Sequence, residues 1–286
     1  MKNWIVGLIL LVLAATGFYF FKYHQPAEPM APEQPSSGMA VQATPEPEPP
    51  PVVAAPGAET VGVSESEATA QAAVEEIPLP MLADSDPVVF EAAGELIGQA
   101  AVVEFLASDN VISRMVTTVD ALGSRQIPGT LQAVRDPAGN FTAISDDSPE
   151  TIIRNEEGDP IAQFTMDPAN YQRYTPYVEI FEAMDAGQLL ESYDRHYSLI
   201  QEAYRMQGYP QGEFNERLIA VIDELLATPQ VTEPVQLIKP EAYFLFADPE
   251  LESLTAGQKI LVRMGNSNAQ RMKTKLMEIR EALLRR

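Results

Sequence analysis

The sequence predicts a mainly α-helical domain with a small β-hairpin element, preceded by an N-terminal transmembrane helix and a disordered linker. Three observations predict it: an uncharged apolar run near the N-terminus, a long proline-rich acidic stretch with no Lys or Arg, and helical spacing of apolar residues through the remainder. The composition shifts place an anchor over 1–24, a linker over 25–80 and a single compact globular domain over 81–286.

Trp4 to Phe21 is 18 residues, eleven of them Leu, Ile, Val or Phe. As a helix it spans roughly 27 Å, close to the ~30 Å hydrocarbon core of a bilayer. A cleaved signal peptide is the rival reading, with Ile5 to Leu13 as its apolar region and Ala15-Thr16-Gly17 as the cleavage site. Cutting there leaves a chain that begins FYFFKY, a sticky end, whereas retention uses those aromatics as an interfacial belt. Retention is therefore expected, in a bacterial inner membrane crossed once. Lys2 and the α-amine barely outweigh Lys22 on the other side; the N-terminus is expected inside, which in a bacterium puts the globular domain in the periplasm, supported by the linker rather than by charge.

Residues 25–80 hold 12 of the 24 prolines and nine Glu. Such a stretch buries too little apolar surface to fold, and 56 flexible residues reach ~40 to 45 Å root-mean-square. It is expected to act as a tether that lets the domain meet something in the cell envelope.

The chain carries a net charge of -22, which makes nucleic acid a poor partner. With no cysteine, disulfides, zinc ribbons and thiol chemistry are excluded. The 206 residues of the domain suffice for one core without staples.

Four Asp-Pro or Thr-Pro pairs predict helix starts: Asp86-Pro87, Asp167-Pro168, Thr175-Pro176 and Asp248-Pro249. Gly94 and Gly98 predict close approach of another helix. Ile112, Met115, Val116, Val119 and Leu122 share one helical face. Turn residues between apolar flanks predict a hairpin in VRDPAGNFTAI, residues 134–144. Phe214, Leu218, Val221, Ile222 and Leu225 form the clearest amphipathic helix, and VQLIKP and AYFLFAD are short candidate strands. The last helix, from about Ser267, has a narrow stripe of Met272, Leu276, Ile279 and Leu283. Around it lies a basic C-terminal face with Arg271, Lys273, Lys275 and Arg280. Residues 259–286 hold eight basic and two acidic groups, against nine and thirty in 81–258. Packing on the domain's own acidic surface is the first expectation; anionic lipid or an acidic protein is the alternative.

No catalytic, metal or cofactor signature emerges. His196 sits in ESYDRHYSLI with Ser192 at i-4, but Asp194 points elsewhere and no strand-turn-helix elbow is present, so a partly exposed helix histidine is expected. One histidine in the domain makes no ordinary zinc site. TAGQKI lacks the glycine spacing and the Ser or Thr of a phosphate loop. Carboxylates Asp120, Glu182, Asp185 and Asp223 are the candidates for paired acid/base hydrolysis of the cell wall. Glu191 with Arg195, Glu213 with Arg217 and Glu281 with Arg285 have the spacing of surface helix pairs. Tyrosines are the more pronounced concentration. Tyr171, Tyr174 and Tyr177 step by three, Tyr193 and Tyr197 by four, with Arg173 and Arg195 beside them, a composition suited to a recognition surface or to a tyrosine-rich core.

LPMLADSDPVV, MVTTVDAL, DPANYQRYTPYV, GYPQGEFNERLIAVIDELLATP and FADPELESLTAGQKILVRMGNSNAQRMKTKL together resemble a bacterial family, domain of unknown function 3014, over residues 79–284. The resemblance implies an N-terminal membrane segment and a proline-rich linker, and it brings no activity, cofactor or site residue. The chain is thus expected to be a membrane-tethered envelope module that binds a protein or cell-wall partner, with a cell-wall hydrolase as the alternative.

Overall fold

The computed structural model describes residues 79–125, 132–147, 149 and 152–286. The anchor and the linker expected from the sequence lie outside the described residues. None of the described helices is long and apolar enough to cross a membrane.

After a 3-10 turn at Leu82–Asp84 come helices α1 (Asp86–Ile97), α2 (Gln99–Phe105) and α3 (Val111–Leu122). Strands β1 (Ala143–Ser145) and β2 (Ala162–Met166) precede α4 (Ala169–Ala183), α5 (Ala186–Met206) and α6 (Phe214–Leu226). Strands β3 (Gln236–Lys239) and β4 (Leu245–Phe246) follow, then α7 (Pro249–Ser253), α8 (Ala256–Arg263) and α9 (Gly265–Leu284). The protein is mainly helical, with one small antiparallel sheet in the order β1-β2-β3-β4.

The helices build one core, in which α9 packs on α4, α5, α6 and α8 and α3 packs on α5, α6 and α8. Helical spacing finds its buried faces: Ile112, Met115, Val116, Val119 and Leu122 are all buried, as are Phe214, Leu218, Val221, Ile222 and Leu225. The stripe Met272, Leu276, Ile279 and Leu283 on α9 is buried too. A second cluster joins the inner face of the sheet to the helices through Met166, Val235, Leu237, Phe246 and Val262, with Tyr171 of α4 against it.

Three of the four predicted pairs open a helix, and in two of these the Asp caps it as expected. Asp248 caps α7 by accepting from the Glu250 N–H, and the Asp167 carboxylate accepts from the Ala169 N–H at the start of α4. Asp86 does something else. Its carboxylate reaches 24 residues along the chain to accept from the N–H groups of Asn110 and Val111, at 2.7 and 2.8 Å. It therefore caps α3 and ties it to α1. Thr175-Pro176 starts nothing, because Pro176 lies inside α4. The proline is tolerated there because it and Gln172, whose carbonyl it leaves without an N–H, both face solvent.

The hairpin expected at 134–144 does not form. Val134 bridges to Leu106 on the helical side, and β1 pairs with β2 instead. Two backbone demands pull this segment apart: Arg135 N–H donates to the Phe105 carbonyl, while Thr142 is held by Asn170 of α4. The β element is larger than a hairpin because VQLIKP and AYFLFAD both supply strands, as their apolar runs predict. Gly94 and Gly98 do not mark a helix crossing either. The Gln99 side chain fills the space beside Gly94, and Gly98, at φ +83°, breaks α1 from α2.

Candidate functional site

Of the two expectations for the tyrosines, a recognition surface or a tyrosine-rich core, the core holds for most of them. Tyr174, Tyr177 and Tyr193 are 4, 4 and 2% exposed, and only Tyr171 and Tyr197 keep partial contact with water. Tyr177 stacks edge-on against Phe105 of α2 and donates its hydroxyl to the Arg135 carbonyl. Burial, then Asp136 and Glu104, push the Tyr177 hydroxyl up to about 12. Tyr171 is pushed up to about 12 by desolvation and by Glu233, and its hydroxyl has no hydrogen-bond partner among the described residues. Burial raises Tyr174 and Tyr193 as well. A step of three or four puts tyrosines on one helical face; here that face is the core face.

The companions of these tyrosines serve the fold. Arg173 donates to the carbonyls of Pro137, Ala138 and Gly139, clamping the turn that leads into β1. Tyr193 packs at a tilt against Tyr197, and the Arg286 guanidinium lies 5.1 Å over the Tyr193 ring while pairing with Asp194. The Tyr197 hydroxyl lies 3.1 Å from both Gln201 and Glu213. Arg195 is half-buried on the same helix.

The basic C-terminal face is spent on the domain itself. Lys273 Nζ donates to the Thr228 carbonyl just past α6, and Lys275 Nζ donates to the Met184 carbonyl just past α4. Each lysine thus sits at the negative end of a neighbouring helix, where its charge is favourable. Arg271 forks onto Glu182 and Arg280 onto Asp223. The four bases hold α9 against α4 and α6, which is the first of the two expectations for this helix.

The four candidate carboxylates share no partner. Asp120 accepts from Arg217 and Tyr209, Glu182 from Arg271, Asp223 from Arg280, and Asp185 caps α5 through the Gln188 N–H. Arg217 is thereby drawn away from Glu213, which pairs with Arg205; the Glu281–Arg285 pair forms as predicted. No group of three or more His, Asp or Glu is placed to hold a metal among the described residues.

His196 is 1% exposed rather than partly exposed, because α5 has helices on several sides. Its Nδ1 lies 3.0 Å from the Ser192 carbonyl, so Nδ1 carries the proton and Nε2 is left as an acceptor with no partner among the described residues. Desolvation holds it below the usual histidine range, with Arg195 acting in the same direction.

Periodicity missed Asp136. Its carboxyl is raised to about 6 by desolvation, against the pull of Arg173, although the residue as a whole is exposed. Asp136 favours folding below its unfolded value of 3.8, and that contribution is lost as pH rises through about 6. His196 has the opposite sign: its contribution is full above 6.5 and is lost as pH falls below it. Asp136→Asn is therefore expected to stabilise the protein relative to wild type at pH 7 and to lose that advantage by pH 4. Urea midpoints across that range check it; a difference independent of pH contradicts the assignment.

A family model described as protein of unknown function (DUF3014) matches residues 111–280. The chain belongs to this family. Comparison with curated proteins and with solved structures gives no match. The DUF3014 match runs from the start of α3 into the C-terminal part of α9 and takes in the whole sheet and its core cluster, while the larger helical cluster also draws on α1 and α2 outside the match. Within it, the phrases that carry the resemblance are architectural. DPANYQRYTPYV supplies the Asp167 cap, the Asn170 and Arg173 clamps and the two core tyrosines, Tyr174 and Tyr177. In GNSNAQ, Gly265 has φ +82°, Asn266 exchanges two hydrogen bonds with the backbone of Val231, and Asn268 donates to the Tyr171 carbonyl.

Proposed function

We propose that this protein is a single-pass envelope protein whose DUF3014 domain, held off the inner membrane by its linker, binds another envelope component without catalysing a reaction. One observation carries the proposal: an 18-residue apolar segment is followed by 56 residues too rich in Pro and Glu to fold, and then by a domain with its own core. A soluble domain bearing a long acidic leash gains reach from it only if one end is fixed. The non-enzymatic part is supported by the occupation of Asp120, Glu182, Asp185 and Asp223 in ion pairs and a helix cap. Carboxylates so neutralised are poorly suited to acid/base chemistry on a glycan.

Cross-linking in intact cells, followed by recovery of the full chain, is expected to return the same envelope component reproducibly. Failure to recover one contradicts the binding role. Incubation of the purified full chain with cell-wall sacculi is expected to release no soluble fragments. Fragments that vanish on substitution of one of the four carboxylates would establish the hydrolase instead.

A further inference from the structure

Among the described residues, the four-stranded sheet is covered on one face only. Opposite residues in an antiparallel ladder share a face, so the register places Ala143, Phe164, Met166, Leu237 and Phe246 together on the inner side. Ile144, Gln163, Thr165, Ile238 and Leu245 then lie on the other side. Ile144 is 54% exposed, and Ile144, Ile238 and Leu245 pack against neither core cluster. The sheet also ends in an open edge. Asp167 N–H donates to the Thr142 carbonyl and Asp146 N–H to the Gln163 carbonyl, so Thr142, Ile144 and Asp146 turn their backbone groups toward β2. The N–H and C=O groups of Ala143 and Ser145 point the other way, and among the described residues none of them has a hydrogen-bond partner outside the ladder.

Charge selects what fits there. The connection from β1 to β2, residues 146–161, contains six Asp or Glu and one base, Arg154, whose guanidinium donates to the Gly158 carbonyl. A second copy of the chain would bring a second such acidic loop against the first. The chain's own linker holds nine Glu and no Lys or Arg, so it is repelled as well. A segment with Lys or Arg alternating with β-branched residues is complementary on both counts. Its backbone meets the open edge, its apolar side chains meet Ile144, and its cations meet the acidic loop.

We propose that the β1 edge and outer sheet face dock an extended basic segment of another protein, which adds as a fifth strand beside Ala143–Ser145. The proposal names the partner chemistry for the tethered binding module described above and rests on that reading.

The probe is a synthetic peptide of alternating Lys and Val, with a Glu and Val peptide as control, added to the full chain in detergent micelles. The basic peptide is expected to bind, to weaken with salt, and to slow hydrogen exchange in the segment spanning residues 142–146; the acidic one is expected not to bind. Ser145→Pro removes an outward N–H and leaves the β1–β2 ladder intact, so it is expected to weaken binding by roughly tenfold, the equivalent of one backbone hydrogen bond, at unchanged melting temperature. Equal binding by wild type and Ser145→Pro, or unchanged exchange at saturating peptide, overturns the proposal. Protection of the outward Ala143 and Ser145 amides without peptide also overturns it, since a second copy or the linker is then the occupant. A partner that cross-links elsewhere on the domain while this test fails leaves the binding module standing and removes only this edge.

Discussion

Gly265→Ala is expected to destabilise the domain by about 2 to 5 kcal/mol, the sum of two costs. Gly265 opens α9 at φ +82°, a conformation that costs an L-residue about 1 to 2 kcal/mol. A Cβ there would also fall 2.8 to 3.0 Å from the ring of Tyr171, and overpacking of that kind costs about 1 to 3 kcal/mol. Gly158→Ala separates the two terms, since Gly158 has φ +89° and nothing within 4 Å of a new Cβ. Chemical denaturation should show Gly158→Ala paying the backbone cost alone. Equal losses in the two variants would mean that the Tyr171 ring moves aside freely, and the tight junction of α8, α9 and α4 inferred here would be wrong.

Asn170→Ala is expected to cost about 1 to 3 kcal/mol, through an unpaired backbone N–H. Asn170 is fully buried and stands in for a strand: its Oδ1 accepts from the Thr142 N–H, and its Nδ2 donates to the carbonyls of Thr142 and Asp167. Removing the amide strands the Thr142 N–H and loosens the sheet from α4, while the Thr142 and Asp167 carbonyls each keep a backbone donor. Asn170→Asp is the sharper probe. It keeps the acceptor for Thr142 but aims a carboxylate at two carbonyl oxygens, so at pH 7 it should be less stable than Asn170→Ala and should recover on acidification. An Asp variant as stable as wild type at pH 7 would show that the Nδ2 bonds contribute nothing.

The helices were legible in the sequence because their apolar faces repeat at the helical period, and that period survives without knowledge of what the face meets. The same logic failed for the tyrosines. A row of Tyr171, Tyr174 and Tyr177 has the same spacing whether it faces water or core, and only the neighbours, Phe105 and the Arg135 carbonyl among them, decide. Cap residues were legible as a type but not by destination, since the Asp86 carboxylate serves a helix that begins 25 residues later. The basic helix α9 was legible as an asymmetry, and its first expectation holds because Arg271 and Arg280 find acids of the domain while Lys273 and Lys275 find helix ends. Asn170, Asn266 and Asp136 gave no signal at all. Their roles are fixed by long-range backbone geometry, which no periodic pattern encodes. The open β1 edge was hidden for the same reason, because the hairpin expected at 134–144 would have paired that strand.

The most direct test of the account is where the native chain begins and what holds it. Membranes extracted with alkaline carbonate should retain the protein with its N-terminal segment intact, and protease added to spheroplasts should release the DUF3014 domain from the outer side. A native chain that starts at Phe18 and washes off in carbonate, or a domain that resists external protease until the membrane is opened, would contradict it.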